Sequence, residues 1–409
     1  MGTTIITNIK LLVNTRKDQS LLRGSALAEL PCVENAYIVI ENGVIAEYGS
    51  DREKKFTGAV IDANGATVLP CWCDSHTHLV FAASREEEFV YKIKGMTYAE
   101  IAAKGGGILN SARKLNAMPE DQLYQLAFQR LQEVIKLGTG AIEIKSGYGL
   151  TVEGELKMLR VIKRLKASSP IPIKATFLGA HTYPVEFKED HKGYIDLILN
   201  EMLPVIAKDR LADYIDVFCE DGFFSAEETE TICTAGMRYG LKPKIHANQL
   251  NLSGGVQAGV KLNAVSVDHL ETMDHDAIHT LADSGTIGTL LPTAAFFLRM
   301  PFQPARKLID AGCAIALATD FNPGSSPSGN MNLVVAMSCI QMKMLPEEAI
   351  NAATINGAYA MEVENEVGSI TVGKKANLIF TKPIPSLAYL PYSFGENLVD
   401  KVMINGEFV

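Results

Sequence analysis

The sequence contains no apolar run approaching the roughly 18 residues that a membrane span needs. It has no surplus of basic charge either: Lys and Arg number 38 against 47 Asp and Glu, a net charge of −9. Such a balance attracts neither nucleic acid nor anionic lipid, which argues against both as partners. The seven cysteines follow no disulfide framework, so free thiols in a reducing compartment are expected. Met1-Gly2-Thr3-Thr4-Ile5-Ile6 lacks the basic and apolar regions of a signal peptide, and Ile6 breaks the myristoylation pattern. A cytoplasmic protein is expected. No phosphate-binding glycine loop follows a first strand, because Gly105-Gly106-Gly107 comes after a helical pattern and reads as a loop or hinge. What remains is ordinary globular composition, 47% hydrophobic and 21% charged over 409 residues. That rules out disorder, collagen and coiled coil, and suits one large domain with room for a small one.

The ends and the middle of the chain differ in pattern. Residues 1–66 are short β-like runs, with Asn42-Gly43 between Ile38-Val39-Ile40 and Val44-Ile45-Ala46 as a hairpin turn. The C-terminal stretch repeats the style at Leu378-Ile379-Phe380 and at Val402-Met403-Ile404 before Asn405-Gly406, so the two ends are expected to pair into one small sheet domain. The middle offers eight strand-like runs, over 67–71, 139–145, 171–178, 213–219, 241–246, 264–269, 286–291 and 313–319. Amphipathic stretches such as 119–137, 153–167, 226–239 and 303–311 lie between them. Short apolar runs alternating with helices predict βαβ units, and eight of them predict a closed (β/α)8 barrel.

Active sites of such barrels lie at the C-terminal ends of the strands, and the polar residues concentrate there. Strand ends carry Asp74-Ser75-His76-Thr77-His78, Gly179-Ala180-His181, Lys244-Ile245-His246, Val267-Asp268-His269 and Ala318-Thr319-Asp320. Five of the eight histidines are therefore expected at one face. His76 and His78 alternate with Thr77, so both imidazoles point the same way from an extended segment. Neutral imidazoles with an aspartate oxygen suit Zn²⁺ or Fe²⁺. Two other patterns weigh less. His275-Asp276-Ala277-Ile278-His279 imitates a helical zinc motif but has Asp for the Glu base and falls on an outer helix. Cys71 and Cys73 are one residue apart and read as inert buried thiols.

Pro70, Asp74-Ser75-His76-Thr77-His78, the strand-end His246 and His269, and Thr319-Asp320 resemble the amidohydrolase superfamily. The tail Gly368-Ser369-Ile370 and Gly373-Lys374-Lys375-Ala376-Asn377-Leu378 is similar to that superfamily's return into its β-sandwich. Three stretches, 143–150, 177–181 and 320–325, are similar to its members that open an imidazolone ring bearing a propionate in histidine breakdown. The resemblance implies a barrel over 67–365 with a β-sandwich domain from 1–66 and 366–409. It also implies metal-dependent hydrolysis of 4-imidazolone-5-propanoate to N-formimidoyl-L-glutamate by a metal-activated water, in a homodimer.

Carried over residue by residue, it makes His76, His78, His246 and Asp320 the ligands of one Zn²⁺ or Fe ion per subunit. Arg85 would pair with the propionate, although as a bare sequence feature it reads as a surface partner for Glu86, Glu87 and Glu88. Tyr148 and His181 would contact the substrate, and Asn322, Gly324 and Ser325 would hold its polar atoms. His269 or the metal would stabilise the oxyanion, and Asp320 would shuttle the proton. Gln249 stands where the family often has Glu; it is left to orient the ring, since an amide takes up no proton at ordinary pH. Two-metal relatives carry a carboxylated lysine on the fourth strand, whereas Lys145 lies on the second, so one metal is expected. The alternatives are a purine or pyrimidine deaminase and, more remotely, a non-catalytic scaffold. Arg85, Tyr148 and His181 favour a substrate with an acidic side chain.

Overall fold

The computed structural model describes residues 2–50, 56, 60–96, 100 and 106–409; Gly105 of the glycine run lies outside them. Eight parallel strands follow one another in chain order around a nearly closed barrel: Trp72–Asp74, Thr139–Lys145, Ile173–Ala180, Tyr214–Cys219, Lys242–Ala247, Ser266–His269, Ile287–Leu290 and Ile315–Leu317. All residues of Thr139–Lys145 and Tyr214–Cys219 are buried, as expected of strands covered by helices on one side and barrel interior on the other. Closure between the eighth and first strands is made just beyond their ends. There His78 N–H donates to Phe321 O at 2.9 Å and Asp320 N–H to His76 O at 3.0 Å. The buried Asp74 carboxylate reinforces the seam by accepting from Thr319 N–H at 3.0 Å and Thr319 Oγ1 at 2.7 Å. Outer helices include Glu120–Lys136, Val152–Ser168, Ala226–Arg238 and Ala305–Asp310, each matching the amphipathic stretch expected for it to within two residues.

The terminal segments pair in a separate eight-stranded sheet, along the order Glu407–Phe408, Val399–Ile404, Leu378–Thr381, Thr67–Pro70, Thr3–Val13, Cys32–Glu41 and Val44–Ser50, with Val60–Asp62 beside Thr3–Val13. Asn42 and Gly43 have φ of +53° and +84°, and Asn405 and Gly406 of +50° and +79°, the left-handed pair that a two-residue hairpin requires. The two hairpin tips meet: a Cβ on Gly43 would lie 2.6 Å from Asn405 O. Contact between the tips brings the ends of the sheet together around a core that includes Ile6, Ile38, Val68, Leu378, Phe380 and Met403.

One boundary differs from expectation. Thr67–Pro70, read as the first barrel strand, belongs to the terminal sheet, where it runs parallel to Leu11–Leu12 and antiparallel to Leu378–Phe380. That sheet thus extends past residue 66. The changeover takes a single residue: Cys71 N–H donates to Asn377 O on one sheet and Trp72 N–H to Gly138 O on the other, both at 2.9 Å. Residues 66–82 are buried without interruption, so no polar break marks where one sheet ends and the next begins.

Candidate metal centre and active site

His76, His78, His181, His246 and His269 converge at the C-terminal mouth of the barrel, with ring centroids 4.5 Å apart for His76–His246, 5.4 Å for His76–His78 and 5.2 Å for His246–His269. His181 stacks on His78 at 5.3 Å. Asp320 reaches in from beyond the eighth strand, its Oδ1 3.5 Å from His76 Nε2 and 3.4 Å from His78 Nε2. His246 Nε2 is 3.4 Å from His78 Nε2. Ligand atoms thus meet in two overlapping triads, one of His76, His78 and Asp320 and one of His76, His246 and His269. The four residues expected as ligands are brought together, and His269 stands equally close.

This donor set fits a divalent cation. The buried His76 Nε2 has no hydrogen-bond partner, and leaving such a group unpaired is costly unless something else takes its lone pair. Burial holds His76, His78 and His246 well below the usual histidine pKa, so each is a neutral imidazole, the form that binds metal. Each of two rings has a carboxylate near its far nitrogen. Asp268 Oδ2 is hydrogen-bonded to His76 Nδ1 at 2.6 Å, and such a partner sets ring orientation and tautomer. Asp216 Oδ2 lies 2.9 Å from His246 Nδ1 without hydrogen-bond geometry, and Asp216 accepts instead at its other oxygen from His246 N–H at 3.1 Å. His269 behaves differently. Burial, the largest single influence, pulls its pKa down, but Glu271, 3.3 Å from Nδ1, together with Asp320 and Asp268 raises it on balance. Glu271 is itself held by Gln303 Nε2 at 3.0 Å. Burial pushes the Asp320 carboxyl up to about 7. His269 and Asp320 also carry positive φ, +89° and +52°, a strain that gathers at functional sites.

The polar rim follows. Arg85 caps the helix Glu86–Ile93, and its side chain is only 13% exposed. Of the acidic run beside it, Glu88 is its partner, accepting from Nε at 3.0 Å and Nη2 at 2.5 Å, while Gly107 N–H reaches the other Glu88 oxygen at 2.9 Å. Nη1 faces Gly324 so closely that a methyl group there would lie 2.3 Å away. Tyr148 packs 5.8 Å from His78 and 5.6 Å from His181, centroid to centroid. Gln249 is buried behind His246 in sequence. The Asn322 amide is engaged within its own loop. It donates to Asp320 O and Ser325 Oγ, both at 2.7 Å, and accepts from Gly324 N–H and Ser325 N–H, both at 2.8 Å. That fills its two donors and two lone pairs, so Asn322 shapes the loop that carries Asp320, Gly324 and Ser325.

Lys145 lies fully buried among Glu143, Asp216 and Asp268, as an ion-paired ammonium beneath the site. His275 and His279 lie exposed on an outer helix, their rings tilted at 44° with centroids 4.1 Å apart. Burial pushes the Cys73 thiol up to about 12 and Cys71 well above its usual value. Glu88 is one of the three glutamates expected beside Arg85, whereas Asp216 and Glu271 were not singled out by the sequence. Asp216 pairs with residues far along the chain, and Glu271 turns back to His269 two residues before it, a contact that no motif announces.

A parallel barrel with histidines and an aspartate at its strand ends defines a metal-dependent hydrolase scaffold. The amidohydrolase family model matches residues 67–409, and the chain belongs to that family. Among curated relatives, the imidazolonepropionase of Flavobacterium johnsoniae is 58% identical over 409 residues, covering 99% of this chain and 100% of the relative. That of Christiangramia forsetii is 54% identical over 411 residues, covering all of both. Among solved structures, the guanine deaminase of E. coli superposes with a TM-score of 0.74 at 11% identity, over 100% of this chain and 99% of that one. A triazine hydrolase variant gives 0.74 at 17% identity, over 99% and 94%. These structural likenesses concern the fold.

Proposed function

We propose that the chain hydrolyses the imidazolone ring of 4-imidazolone-5-propanoate to N-formimidoyl-L-glutamate, a step of histidine degradation. The observation that carries this reading is full-length identity of 54–58% to imidazolonepropionases. In this reading His76, His78, His246 and Asp320 hold one divalent ion, Zn²⁺ or Fe²⁺. When bound, such an ion supplies Lewis acidity and a water that ionises near neutral pH.

The protein groups do the rest. Arg85 takes the propionate carboxylate on its planar guanidinium, and Tyr148 and His181 flank the ring. Water oxygen bonds to the ring carbonyl carbon, and the bond from that carbon to the ring nitrogen breaks. His269, its Nδ1 turned to Glu271, donates from its other nitrogen to the carbonyl oxygen as charge grows there. Asp320 accepts the water's proton and delivers it to the leaving nitrogen. Gln249 donates and accepts hydrogen bonds to orient the ring but does not carry the proton. Gly324 and Ser325, on the loop braced by Asn322, border the carboxylate end. The same reading takes the cytoplasm as the compartment and a homodimer as the assembly, which light scattering tests.

The deciding experiment generates imidazolonepropionate from urocanate with urocanase and adds the metal-replete protein. Ring absorbance should fall faster than its spontaneous decay, N-formimidoyl-glutamate should accumulate, and Asp320→Asn should abolish the catalysed part. No catalysed loss would reject the assignment and direct the search to deaminase substrates.

A further inference from the structure

Beneath the candidate metal ligands the barrel encloses five ionisable side chains that the mechanism above does not use: Glu143, Lys145, Asp216, Lys244 and Asp268, with side chains wholly out of solvent. Lys145 Nζ lies 2.7 Å from Glu143 Oε1, 2.9 Å from Asp216 Oδ2 and 3.7 Å from Asp268 Oδ2. The same Asp216 and Asp268 oxygens face the far nitrogens of His246 and His76, at 2.9 and 2.6 Å. The remaining oxygens are pinned as well. Asp216 Oδ1 accepts from His246 N–H at 3.1 Å, and Asp268 Oδ1 from Ser266 Oγ at 2.6 Å. Glu143 is held by Lys244 at 2.9 Å and by Thr176.

We propose that Lys145 is a positioning residue for the metal centre, a single ammonium that draws Asp216 and Asp268 together so that Asp268 fixes the orientation and tautomer of His76 and Asp216 holds His246 in place.

An ammonium has three N–H donors, and here three carboxylates surround it. Two of them, from the fourth and sixth strands, would repel each other across the barrel without a cation between them. Asp268 accepting from the His76 Nδ1–H leaves the lone pair on Nε2, the atom that points into the ligand cluster, while Asp216 acts on His246 through its charge beside Nδ1 and its bond from the His246 N–H. Lys145 therefore connects two ligands carried on different strands. An ammonium held this way is also not available for carboxylation as a metal bridge. Lys244 contacts Glu143 and the carbonyls of Ser75 and Ala360, at 3.0 and 3.2 Å, so it braces the cluster from below but reaches neither imidazole-facing aspartate.

The proposal rests on the metal-site reading, and its test reads metal rather than turnover. Zn²⁺ affinity is measured by chelator competition, and Co²⁺ visible absorption is recorded on the same samples. The variants are Lys145→Met, Lys145→Arg, and Lys145→Met combined with Asp268→Asn, which removes one charge of each sign; melting of each metal-free protein shows whether it is folded. Weakening of Zn²⁺ binding by about 10- to 100-fold, with an altered Co²⁺ spectrum, is expected in every folded variant, including Lys145→Arg, whose charge is kept but whose shape is not. A folded Lys145 variant with the parent's affinity and spectrum would overturn the proposal and leave Lys145 a buried counter-charge. If Lys145→Met does not fold, Lys145→Arg and the double variant decide by the same two readouts. Absence of tight Zn²⁺ binding in the parent would sink the metal-site reading itself, an outcome distinct from loss confined to the variants.

Discussion

Arg85 owes its pose to two neighbours of opposite kind. Glu88 fixes the Nε and Nη2 edge of the guanidinium, and the missing side chain of Gly324 makes room for Nη1. Gly324→Ala would place a methyl 2.3 Å from Nη1 and force the guanidinium aside. Because a displacement of about 1 Å can cost up to 10²-fold, kcat/KM should drop at least about tenfold. The loss should fall mainly in KM, since the carboxylate is bound in ground and transition states alike. Arg85→Lys should act in the same direction, because an ammonium lacks the two-pronged geometry. Steady-state kinetics of the two variants check this, and an unchanged KM in both would remove Arg85 from substrate binding. At this scale the sequence was informative about histidines and less so about carboxylates. A histidine ending an apolar run stands out by itself. The partners Asp268 and Asp216 lie 192 residues from His76 and 71 from Lys145, and only the folded barrel puts them in contact.

The loop after the second barrel strand, which carries Tyr148, is organised from the helix that follows it. Glu155, fully buried on Val152–Ser168, accepts Gly147 N–H at 2.9 Å, Gly149 N–H at 2.7 Å and Leu150 N–H at 2.9 Å. One carboxylate thus satisfies three backbone donors that no strand or helix ladder reaches. Glu155→Gln keeps the shape but turns an N–H₂ group toward some of those donors, leaving buried groups unpaired at a cost of about 1–3 kcal/mol each. The expected result is a stability loss of about 2–3 kcal/mol in urea and a fall in kcat/KM of about tenfold or more as Tyr148 loses its place. A variant with the parent's stability and kinetics would show that the loop is held by packing alone. The elements themselves were legible where periodicity was long. Seven of the eight barrel strands lie within a few residues of the runs expected for them, because each is an apolar run bounded by a helix. The first was displaced to Trp72–Asp74 because Thr67–Pro70 is equally apolar. Apolarity reports burial and does not say in which of two adjoining sheets a residue is buried.

The terminal sheet and the barrel share charged groups at their junction, and Lys374 is one of them. It sits in the return segment with 1% of its surface exposed, its backbone O accepting from Ile45 N–H at 2.8 Å. Its Nζ donates to Val367 O at 2.9 Å and Ser369 Oγ at 2.7 Å, two neutral acceptors in place of a carboxylate. Burial therefore dominates and pulls its pKa down to about 8 from 10.5. The sign follows from proton counting. Below pH 8 folded and unfolded chains are both protonated at this site, and the fold bears the full cost of enclosing the ammonium. Between about 8 and 10.5 the unfolded chain holds more proton than the folded one, so stability rises with pH across that window. The shift corresponds to on the order of 3 kcal/mol. Cys73, whose thiol burial pushes up to about 12, stays neutral in the fold but ionises in the unfolded chain above about 9, which opposes this rise; parent and variant share it, so only their difference reports Lys374. Lys374→Met keeps the apolar stem and removes the titrating group, so its stability should lack this rise. Urea unfolding of parent and variant at pH 8 and pH 10 isolates the difference, with the parent expected to gain about 2–3 kcal/mol relative to the variant. Equal changes in the two proteins would mean that Lys374 keeps its proton in the fold and that its two neutral acceptors solvate the charge as well as water does.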